Sequence, residues 1–369
     1  MEKKHRASFF VKIILGVNIF FAILLLLSTF SSYISPQKLW ISGFFGLLYP
    51  YFLIINFSFV IFWLIFKRKF ILVSLTVILL GWNDYGLYLR FNKIRAVDST
   101  YFKVMSYNVR LFGLYNYNKD FSYRDKIMKL IADEKPDILS LQEYYYDKTM
   151  KFRTEDLILK NSGLKYHNDK YVFVSRDKYF FGISTYSRYP IAGSGSIIFE
   201  NSRTNSCIFN DIIIHKDTVR VYNIHFASIH FAKEDYNFIE EISNNTTSGK
   251  SAFKVGIMKI LSKMKHAFVL RASQCEKVRN HITTSPYPVI VTGDFNDTPG
   301  SYAYKTIRSA GLSDAFTESG KGPGYTYAGI FPSFRIDYIL YGKPFKSCNF
   351  KTIRKKYSDH YPISCYMKY

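Results

Sequence analysis

Cysteine is scarce in this sequence, and its pattern limits what the chain can bind. The 369 residues include four cysteines, Cys207, Cys275, Cys348 and Cys365, and no two of them form a CxxC pair. Structural zinc sites are commonly built from such closely spaced cysteines, so the sequence argues against zinc. All four could be buried thiols, and a disulfide stays open if they face an oxidising compartment. The chain also lacks an internal repeat and the Gly-rich loop that cradles nucleotide phosphates.

Charge is absent from two long stretches near the amino terminus. Residues 9–30 carry one charged side chain, Lys12, and residues 39–66 carry none. Each run provides the roughly 20 apolar residues that a membrane-spanning helix needs. The first run is not followed by the small-x-small pattern of a signal-peptide cleavage site, so we interpret it as a retained anchor.

A third apolar run is interrupted by Asn83 and Asp84, so the sequence allows two or three spans. Aromatic residues beside the interruption are typical of the membrane interface, and we favour three spans. The prediction is a transmembrane anchor in residues 1–95, with spans at about 9–30, 40–66 and 70–89, and a separate domain in residues 100–369.

Basic residues orient this anchor. Three of them lie within residues 3–6 and residues 67–69 are Lys-Arg-Lys, whereas the loop between the first two spans has only Lys38. Positive residues tend to stay on the cytoplasmic side, so three spans put the domain outside and two spans leave it in the cytoplasm. Basic residues at positions 90–95 count against the outside placement. We predict an integral protein of the bacterial inner membrane with an extracytoplasmic domain.

The second part of the chain contains apolar runs that end on polar residues. Residues 289–297 read VIVTGDFND, which indicates a buried strand, a tight turn at Gly293 and then Asp294 and Asn296. Residues two apart in an extended chain share a face, so this carboxylate and this amide should point into one pocket. Other runs end in the same manner at Asn108, Glu143 and His225, and later segments contain Asp337 and the pair Asp359-His360.

Six short motifs carry these residues in order: SYNVR (106–110), LQE (141–143), NIHF (223–226), GDFND (293–297), RIDYI (335–339) and SDHYP (358–362). Together they resemble the endonuclease/exonuclease/phosphatase superfamily, whose best known branch is deoxyribonuclease I-like. The resemblance covers about residues 101–369 and nothing in residues 1–100. It implies an α/β (α+β) fold, a four-layer α/β-sandwich of two facing mixed β-sheets with outer helices, here preceded by two or three transmembrane helices.

The resemblance also implies roles for the polar residues. Mg²⁺, or Mn²⁺ in its place, would be held by Asn108, Glu143 and Asp359. The catalytic residues would be His225, Asp294, Asn296, Asp337 and His360. Among these, Asp294 and Asn296 would position the water and the phosphate, and His225 would stabilise the phosphate or assist the leaving group. His360, oriented by Asp337, would act as general base or contact the phosphate.

The substrate stays open at this point. Basic residues outnumber acidic ones by 50 to 28, and the domain after residue 100 keeps +14 of the net +22. Such charge suits nucleic acid or an anionic membrane surface. The prediction is a membrane-anchored, Mg²⁺-dependent phosphoester hydrolase, a nuclease-like phosphodiesterase that uses an Asp/His-activated water. The alternatives are a phospholipid or sphingomyelin phosphodiesterase, an inositol-phosphate phosphatase, or an inactive membrane-anchored binding protein. The oligomeric state is not predicted.

One segment, residues 231–262, has no counterpart among these motifs. Residues 252–264, which begin in this segment and end just after it, combine apolar residues at helical spacing with several lysines. Such a basic amphipathic helix can lie on anionic lipid, and it can equally be a surface helix that packs on the sheet. The sequence leaves both interpretations open.

Overall fold

A computed structural model of the chain describes residues 2–114, 121–149, 152–200, 204–243, 249–329 and 334–369. The helices are α1 (Glu2–Ser31), α2 (Ser42–Phe66), α3 (Ile71–Leu80), α4 (Trp82–Tyr85), α5 (Ser122–Glu134), α6 (Thr154–Ser162), α7 (Lys233–Ser243), α8 (Lys250–Thr283), α9 (Tyr302–Arg308) and α10 (Ala315–Ser319). The strands are β1 (Leu89–Phe91), β2 (Phe102–Asn108), β3 (Ile138–Asp147), β4 (Tyr166–Ser175), β5 (Tyr179–Ser187), β6 (Ile191–Ile197), β7 (Ser206–Ile214), β8 (Asp217–His225), β9 (Val289–Asp294), β10 (Ser313–Asp314), β11 (Lys321–Pro323), β12 (Asp337–Tyr341), β13 (Lys346–Thr352) and β14 (Ile363–Lys368).

Two six-stranded sheets form the body of the second part of the chain. One has the order β13-β14-β2-β3-β5-β4 and the other β10-β12-β9-β8-β7-β6. Each contains one parallel pair, β2 with β3 and β8 with β9, among antiparallel neighbours, so both sheets are mixed. The predicted fold class, two mixed sheets with flanking helices, is confirmed.

The strands near the centre are buried on both faces, which explains their almost continuous apolar runs. Val104 of β2 packs with Ile290 of β9 in the cluster between the sheets. Their neighbours Met105 and Val291 belong to the two outer clusters, which lie beneath the flanking helices. Because alternate residues of a strand point to opposite faces, each central strand serves one inner and one outer core.

The amino-terminal helices pack together around buried polar side chains. Asn18 donates to Ser74 at 2.6 Å, Ser74 donates to Asn56 at 2.9 Å, and the Trp63 indole donates to Asn18 at 2.8 Å. Inter-helix hydrogen bonds of this kind fix the register of apolar helices. Among the described residues, two helices are long and apolar enough to cross a membrane, Phe9–Ser31 and Ser42–Phe66.

The third predicted span, residues 70–89, is not one continuous helix in the structure, and its crossing of a membrane stays a prediction. The chain there forms the ten-residue α3, turns at Gly81, forms the short α4 and then enters β1, which pairs with β11. A ten-residue helix rises about 15 Å, half of a hydrocarbon core about 30 Å thick. The segment nevertheless runs back along α2, because Phe70 contacts Trp63 at one end and Tyr88 stacks on Tyr49 at the other.

The amino-terminal helices contact the sandwich through the beginning of α2. The Thr298 hydroxyl donates to the carbonyl of Gly46 at 3.1 Å, and Phe44 meets Phe268 edge to face at 5.1 Å between ring centres. The sandwich therefore lies at the end of α2 that adjoins the α1–α2 loop. Residues 67–69, Lys-Arg-Lys, follow the opposite end of α2.

We expect the close approach at Gly46 to require glycine. A Cβ there would lie 2.6 Å from the carbonyl oxygen of Gly300, a backbone atom that cannot rotate away. Gly46→Ala should cost about 1–3 kcal/mol of overpacking and lower the thermal midpoint of the full chain in detergent. Gly16→Ala is the matched control in α1, because nothing lies within 4 Å of the added carbon. Equal midpoints for the two variants would contradict this docking.

Candidate active site

Four adjacent strands bring polar residues to one end of the sandwich. On the inner face, the residues change along each strand from apolar to small polar and then to a further polar residue, which on β2, β8 and β9 is a predicted site residue. The series are Val104, Ser106 and Asn108 on β2, Ile138, Ser140 and Gln142 on β3, Val221, Asn223 and His225 on β8, and Ile290, Thr292 and Asp294 on β9. Polar residues of these series bond across the sheets, since Thr292 donates to Ser140 at 2.7 Å and Gln142 donates to Asn223 at 2.7 Å. The strand ends of both sheets therefore converge.

Asp294 lies at the centre of this convergence and is 0% exposed. Its carboxylate accepts from the side chain of Asn108 at 2.9 Å and from the backbone of Asn296 at 2.8 Å. The preceding Gly293 has φ of 141°, and a Cβ there would lie 2.0 Å from the carbonyl oxygen of Ile224. Only glycine lets β9 approach β8 so closely.

Glu143 reaches the site through an irregularity in β3. Strict alternation would turn it away from Gln142, but the pairing of β3 with β5 shifts register between Leu141 and Tyr144. Glu143 itself has φ of 48°, a left-handed conformation that is uncommon outside glycine and recurs at functional sites. Its carboxylate lies 3.3 Å from the Asn108 amide nitrogen and 3.8 Å from Nε2 of His225.

Asp337 and His360 form a buried pair beside Asp294. The imidazole Nδ1 of His360 lies 2.9 Å from Asp337, and its Nε2 lies 3.6 Å from Asp294. The register of β12 against β9 sets Asp337 directly opposite Asp294. The two carboxylates therefore face one imidazole from either side.

Asp359 completes the group of residues predicted from the sequence. It lies 3.4 Å from Nε of Arg110, and its side chain is 24% exposed. The hydroxyl of Ser358 donates to the carbonyl of Asn108 at 2.8 Å, which ties this loop to the end of β2. All eight predicted site residues thus lie around one centre.

Burial and neighbouring charges set the protonation of these groups. Burial raises the pKa of the Glu143 carboxyl, and the Asp359 charge adds to the rise. Burial also raises the pKa of Asp294, against the attraction of His360. The pKa of His225 is lowered by burial, so its imidazole is neutral. For His360, burial would lower the pKa, but Asp337 and Asp294 outweigh it and hold the pKa well above its usual value. His360 is therefore an imidazolium at neutral pH.

The donor set fits a divalent cation. Mg²⁺ prefers carboxylate and amide oxygens, which Asn108, Glu143 and Asp359 offer. The Nε2 of His225 is buried, has no hydrogen-bond partner among the described residues, and faces Glu143 and Asp294. A buried polar atom in this state is available to bond a ligand or a water molecule.

A second set of groups lies closer together. One ligand atom from each of Asp294, Asp337 and His360 falls within 4.8 Å of the others, and all three residues are buried. In this group Nδ1 of His360 is bonded to Asp337, which leaves Nε2 as the ring nitrogen available to an ion. Glu143 and Asp359 have side chains 35% and 24% exposed, and both line the cavity. The structure therefore offers two candidate cation sites, the predicted set and the closer group.

A cavity of about 510 Å³ opens beside these residues. Its lining includes polar groups that the sequence argument did not select, Arg110, His230, Arg271 and Tyr327. Arg110 belongs to the SYNVR motif, and this position was the signal available in the sequence. Arg271 gave no signal, because its role depends on contacts distant in sequence: it donates to Asp297 and to the carbonyl of Ala227, which joins the loops after β9 and β8.

Comparison with known proteins gives two family matches. A model of the Endonuclease/Exonuclease/phosphatase family matches residues 105–360, and a domain of unknown function matches residues 11–88. No match was found among curated proteins.

Solved structures share the fold of the second part of the chain. Humanized *D. rerio* TDP2 is 19% identical, with 73% of this chain and 100% of that chain covered and a TM-score of 0.52. The catalytic domain of human Nocturnin with a bound sulfate anion is 18% identical, with 75% and 96% covered and a TM-score of 0.51. An endonuclease/exonuclease/phosphatase from *Beutenbergia cavernae* is 15% identical, with 73% and 72% covered and a TM-score of 0.52.

We expect Mg²⁺ to stabilise the folded chain through Glu143. At a hundredfold excess over its Kd, an ion that binds only the folded state adds about 2.7 kcal/mol, which thermal unfolding in detergent detects. The raised pKa of Glu143 means that protons compete with the ion, so the stabilisation should shrink as the pH falls from neutral to acid.

Glu143→Gln should remove most of this stabilisation. Glu200→Gln makes the same chemical change on the surface, where Glu200 pairs with Lys277, and should retain it. Equal Mg²⁺ stabilisation in the two variants would show that Glu143 is not a ligand.

Proposed function

The chain belongs to the endonuclease/exonuclease/phosphatase family, as its six motifs predicted, and on this premise we propose that it is a membrane-anchored, Mg²⁺-dependent phosphoester hydrolase. Hydrolysis of phosphoester bonds is the chemistry of this family. The metal, the anchoring and the roles of individual residues are our proposals. The unpartnered Nε2 of His225, which faces Glu143 and Asp294, supports the proposed site, and the two long apolar helices Phe9–Ser31 and Ser42–Phe66 support the anchoring.

The proposed roles follow from the position and charge of each group. Asn108, Glu143 and Asp359 would hold Mg²⁺, which would neutralise charge on the phosphoryl oxygens. His360, an imidazolium oriented by Asp337, would donate to a phosphoryl oxygen and stabilise the developing negative charge. Neutral His225 would donate a hydrogen bond to the phosphate or to the leaving oxygen.

Asp294 is the proposed acceptor of the proton from the attacking water. The backbone of Asn296 and the side chain of Asn108 hold its carboxylate in place. A base works best when its pKa lies near the operating pH, and burial moves the pKa of Asp294 in that direction. Water gives its oxygen to phosphorus, one P–O ester bond breaks, and the leaving oxygen gains a proton, so no reactant besides water is needed.

The proposed location follows from the anchor. The sandwich contacts the end of α2 next to the α1–α2 loop, and Lys67-Arg68-Lys69 follow the other end. If α1 and α2 cross the bilayer, the sandwich lies on the side opposite these basic residues. Because basic residues favour the cytoplasmic side, we propose an extracytoplasmic active site on the bacterial inner membrane.

Nucleic acid is one candidate for the phosphoester substrate, and the net charge of +14 after residue 100 favours it. A *D. rerio* TDP2 structure of the same fold, 16% identical with a TM-score of 0.51, is a complex with single strand DNA product. That similarity is limited to the fold.

The direct test is hydrolysis of bis(4-nitrophenyl) phosphate and 4-nitrophenyl phosphate by the full chain in detergent with Mg²⁺. Asp294→Asn should lower kcat/KM by about 10²–10⁴, the range for loss of a general base. Asp156→Asn, the same change on exposed α6, should leave the rate unchanged. A wild-type chain that binds Mg²⁺ without hydrolysing either ester, or an Asp294→Asn variant of full activity, would refute the proposal.

The pH profile tests the role of His360. Its pKa is raised by Asp337 and Asp294, so activity that needs the imidazolium is present at neutral pH and is lost as the pH rises through this raised pKa. Asp337→Asn removes one of the two carboxylates, which lowers the pKa. The fall of kcat/KM at alkaline pH should therefore begin at a lower pH in this variant. If that fall does not move, a group other than His360 causes it.

A further inference from the structure

The cavity beside the active site has two chemically different sides. One side carries the site residues Glu143, Asp359 and His360. The other side, which we call the apolar wall, is formed by Leu47, Phe231, Ile239, Ile260, Met264 and Phe268. A small hydrophilic phosphoester would leave this wall exposed to water, which is unfavourable in proportion to its area.

The apolar wall is built from parts of the chain outside the six motifs. Phe231 and Ile239 come from the segment that leads into and forms α7, and Ile260, Met264 and Phe268 lie on α8. Met264 and Ile260 are one helical turn apart, so both face the same direction. Phe231, Ile239 and Ile260 lie in residues 231–262, the segment that has no counterpart among the motifs.

Leu47 connects the apolar wall to the anchor. It lies in the second turn of α2, which has 25 residues and a length of about 37 Å. The hydrocarbon core of a bilayer is about 30 Å thick, so the first turns of α2 lie near the boundary of headgroups and acyl chains. Two contacts place α8 beside the first turns of α2. Lys265 lies 5.4 Å from the centre of the Trp40 ring, and Phe268 packs against Phe44. If α2 crosses the bilayer as proposed, the cavity opens at the depth where lipid phosphates meet their hydrocarbon chains.

The charges around the opening complement an anionic headgroup. Arg110 lines the cavity beside Asp359, and His360 lines it as well. Lys259 and Lys263 are adjacent in sequence to the wall residues Ile260 and Met264, and both pair with Asp235 outside the cavity lining. A phosphate would meet Arg110 and the polar site residues, and a hydrocarbon chain attached to it would meet the apolar wall.

We propose that the substrate is a lipid phosphoester whose phosphate binds at the polar side of the cavity while its hydrocarbon chain lies along the apolar wall. This inference rests on the proposed phosphoester hydrolysis and adds the class of substrate. A cavity of about 510 Å³ holds the phosphate and the first part of a chain, and the rest of the chain stays in the bilayer. Hydrolysis adds water across one P–O bond and releases an alcohol and a phosphoryl product.

A pair of matched esters tests the apolar wall. Methyl 4-nitrophenyl phosphate and dodecyl 4-nitrophenyl phosphate have the same reacting bond and differ only in the alkyl chain. Burial of one methylene against the wall should raise kcat/KM about fourfold. Burial of three or four methylenes should therefore raise kcat/KM about 100-fold for the dodecyl ester. The measurement is 4-nitrophenol release by the full chain in detergent with Mg²⁺, at ester concentrations below micelle formation.

Ile260→Asn should lower the dodecyl-to-methyl ratio of kcat/KM about tenfold, because it places an amide against the chain. Ile198→Asn is the matched control, since Ile198 is 75% exposed and lies outside the cavity. Its ratio should equal that of the wild-type chain.

The outcomes separate this inference from the function on which it rests. A dodecyl-to-methyl ratio near one, with hydrolysis that depends on Asp294, would keep the hydrolase and refute the lipid substrate. Single-stranded DNA cleaved with a higher kcat/KM than the dodecyl ester would refute it in favour of nucleic acid. Failure to hydrolyse either ester would overturn the hydrolase itself, and the lipid inference with it.

Discussion

The burial of Asp294 between two sheets is the constraint on which the active site depends. An ionised carboxylate costs several kcal/mol to remove from water unless hydrogen bonds and opposite charge surround it. Asn108, the Asn296 backbone and the His360 imidazolium supply these partners, and each comes from a different segment. The sheets must therefore meet in one register, and Gly293 permits the close strand approach that this register needs. The same burial that makes the site costly gives its acids and imidazoles the shifted pKa values that hydrolysis uses.

Much of this arrangement could be predicted from the sequence, because strands have a period of two. Asn108, His225 and Asp294 end apolar runs, and each shares a strand face with the residue two positions before it. Once that face is known to be the inner one, these polar residues are placed between the sheets. Glu143 breaks the alternation through a left-handed residue and a register shift, which its motif indicated and its periodicity did not. The sequence predicted one apolar segment over residues 70–89, whereas the structure divides this range into α3, α4 and β1. Hydrophobicity alone does not indicate that β1 pairs with β11.

The apolar wall could not be predicted, because it joins residues far apart in the chain. Leu47 of the anchor and Met264 of α8 line one cavity with Glu143. No local pattern connects them, and only the docking of α2 on the sandwich brings them together. The anchor is thus part of the substrate cavity in this account, and it does more than hold the enzyme at the membrane. Separation of the anchor from the sandwich would remove one side of that cavity.

The most direct test of this account is a crystal structure of the full chain with Mn²⁺, in which anomalous scattering locates the ion. The account predicts a peak bounded by Asn108, Glu143 and Asp359, within about 2.0–2.2 Å of their oxygens, the distances expected for an octahedral ion of this size. His360 should remain bonded to Asp337. A peak between Asp294, Asp337 and His360, or none at this end of the sandwich, would contradict the assignment of the metal ligands and the imidazolium role of His360.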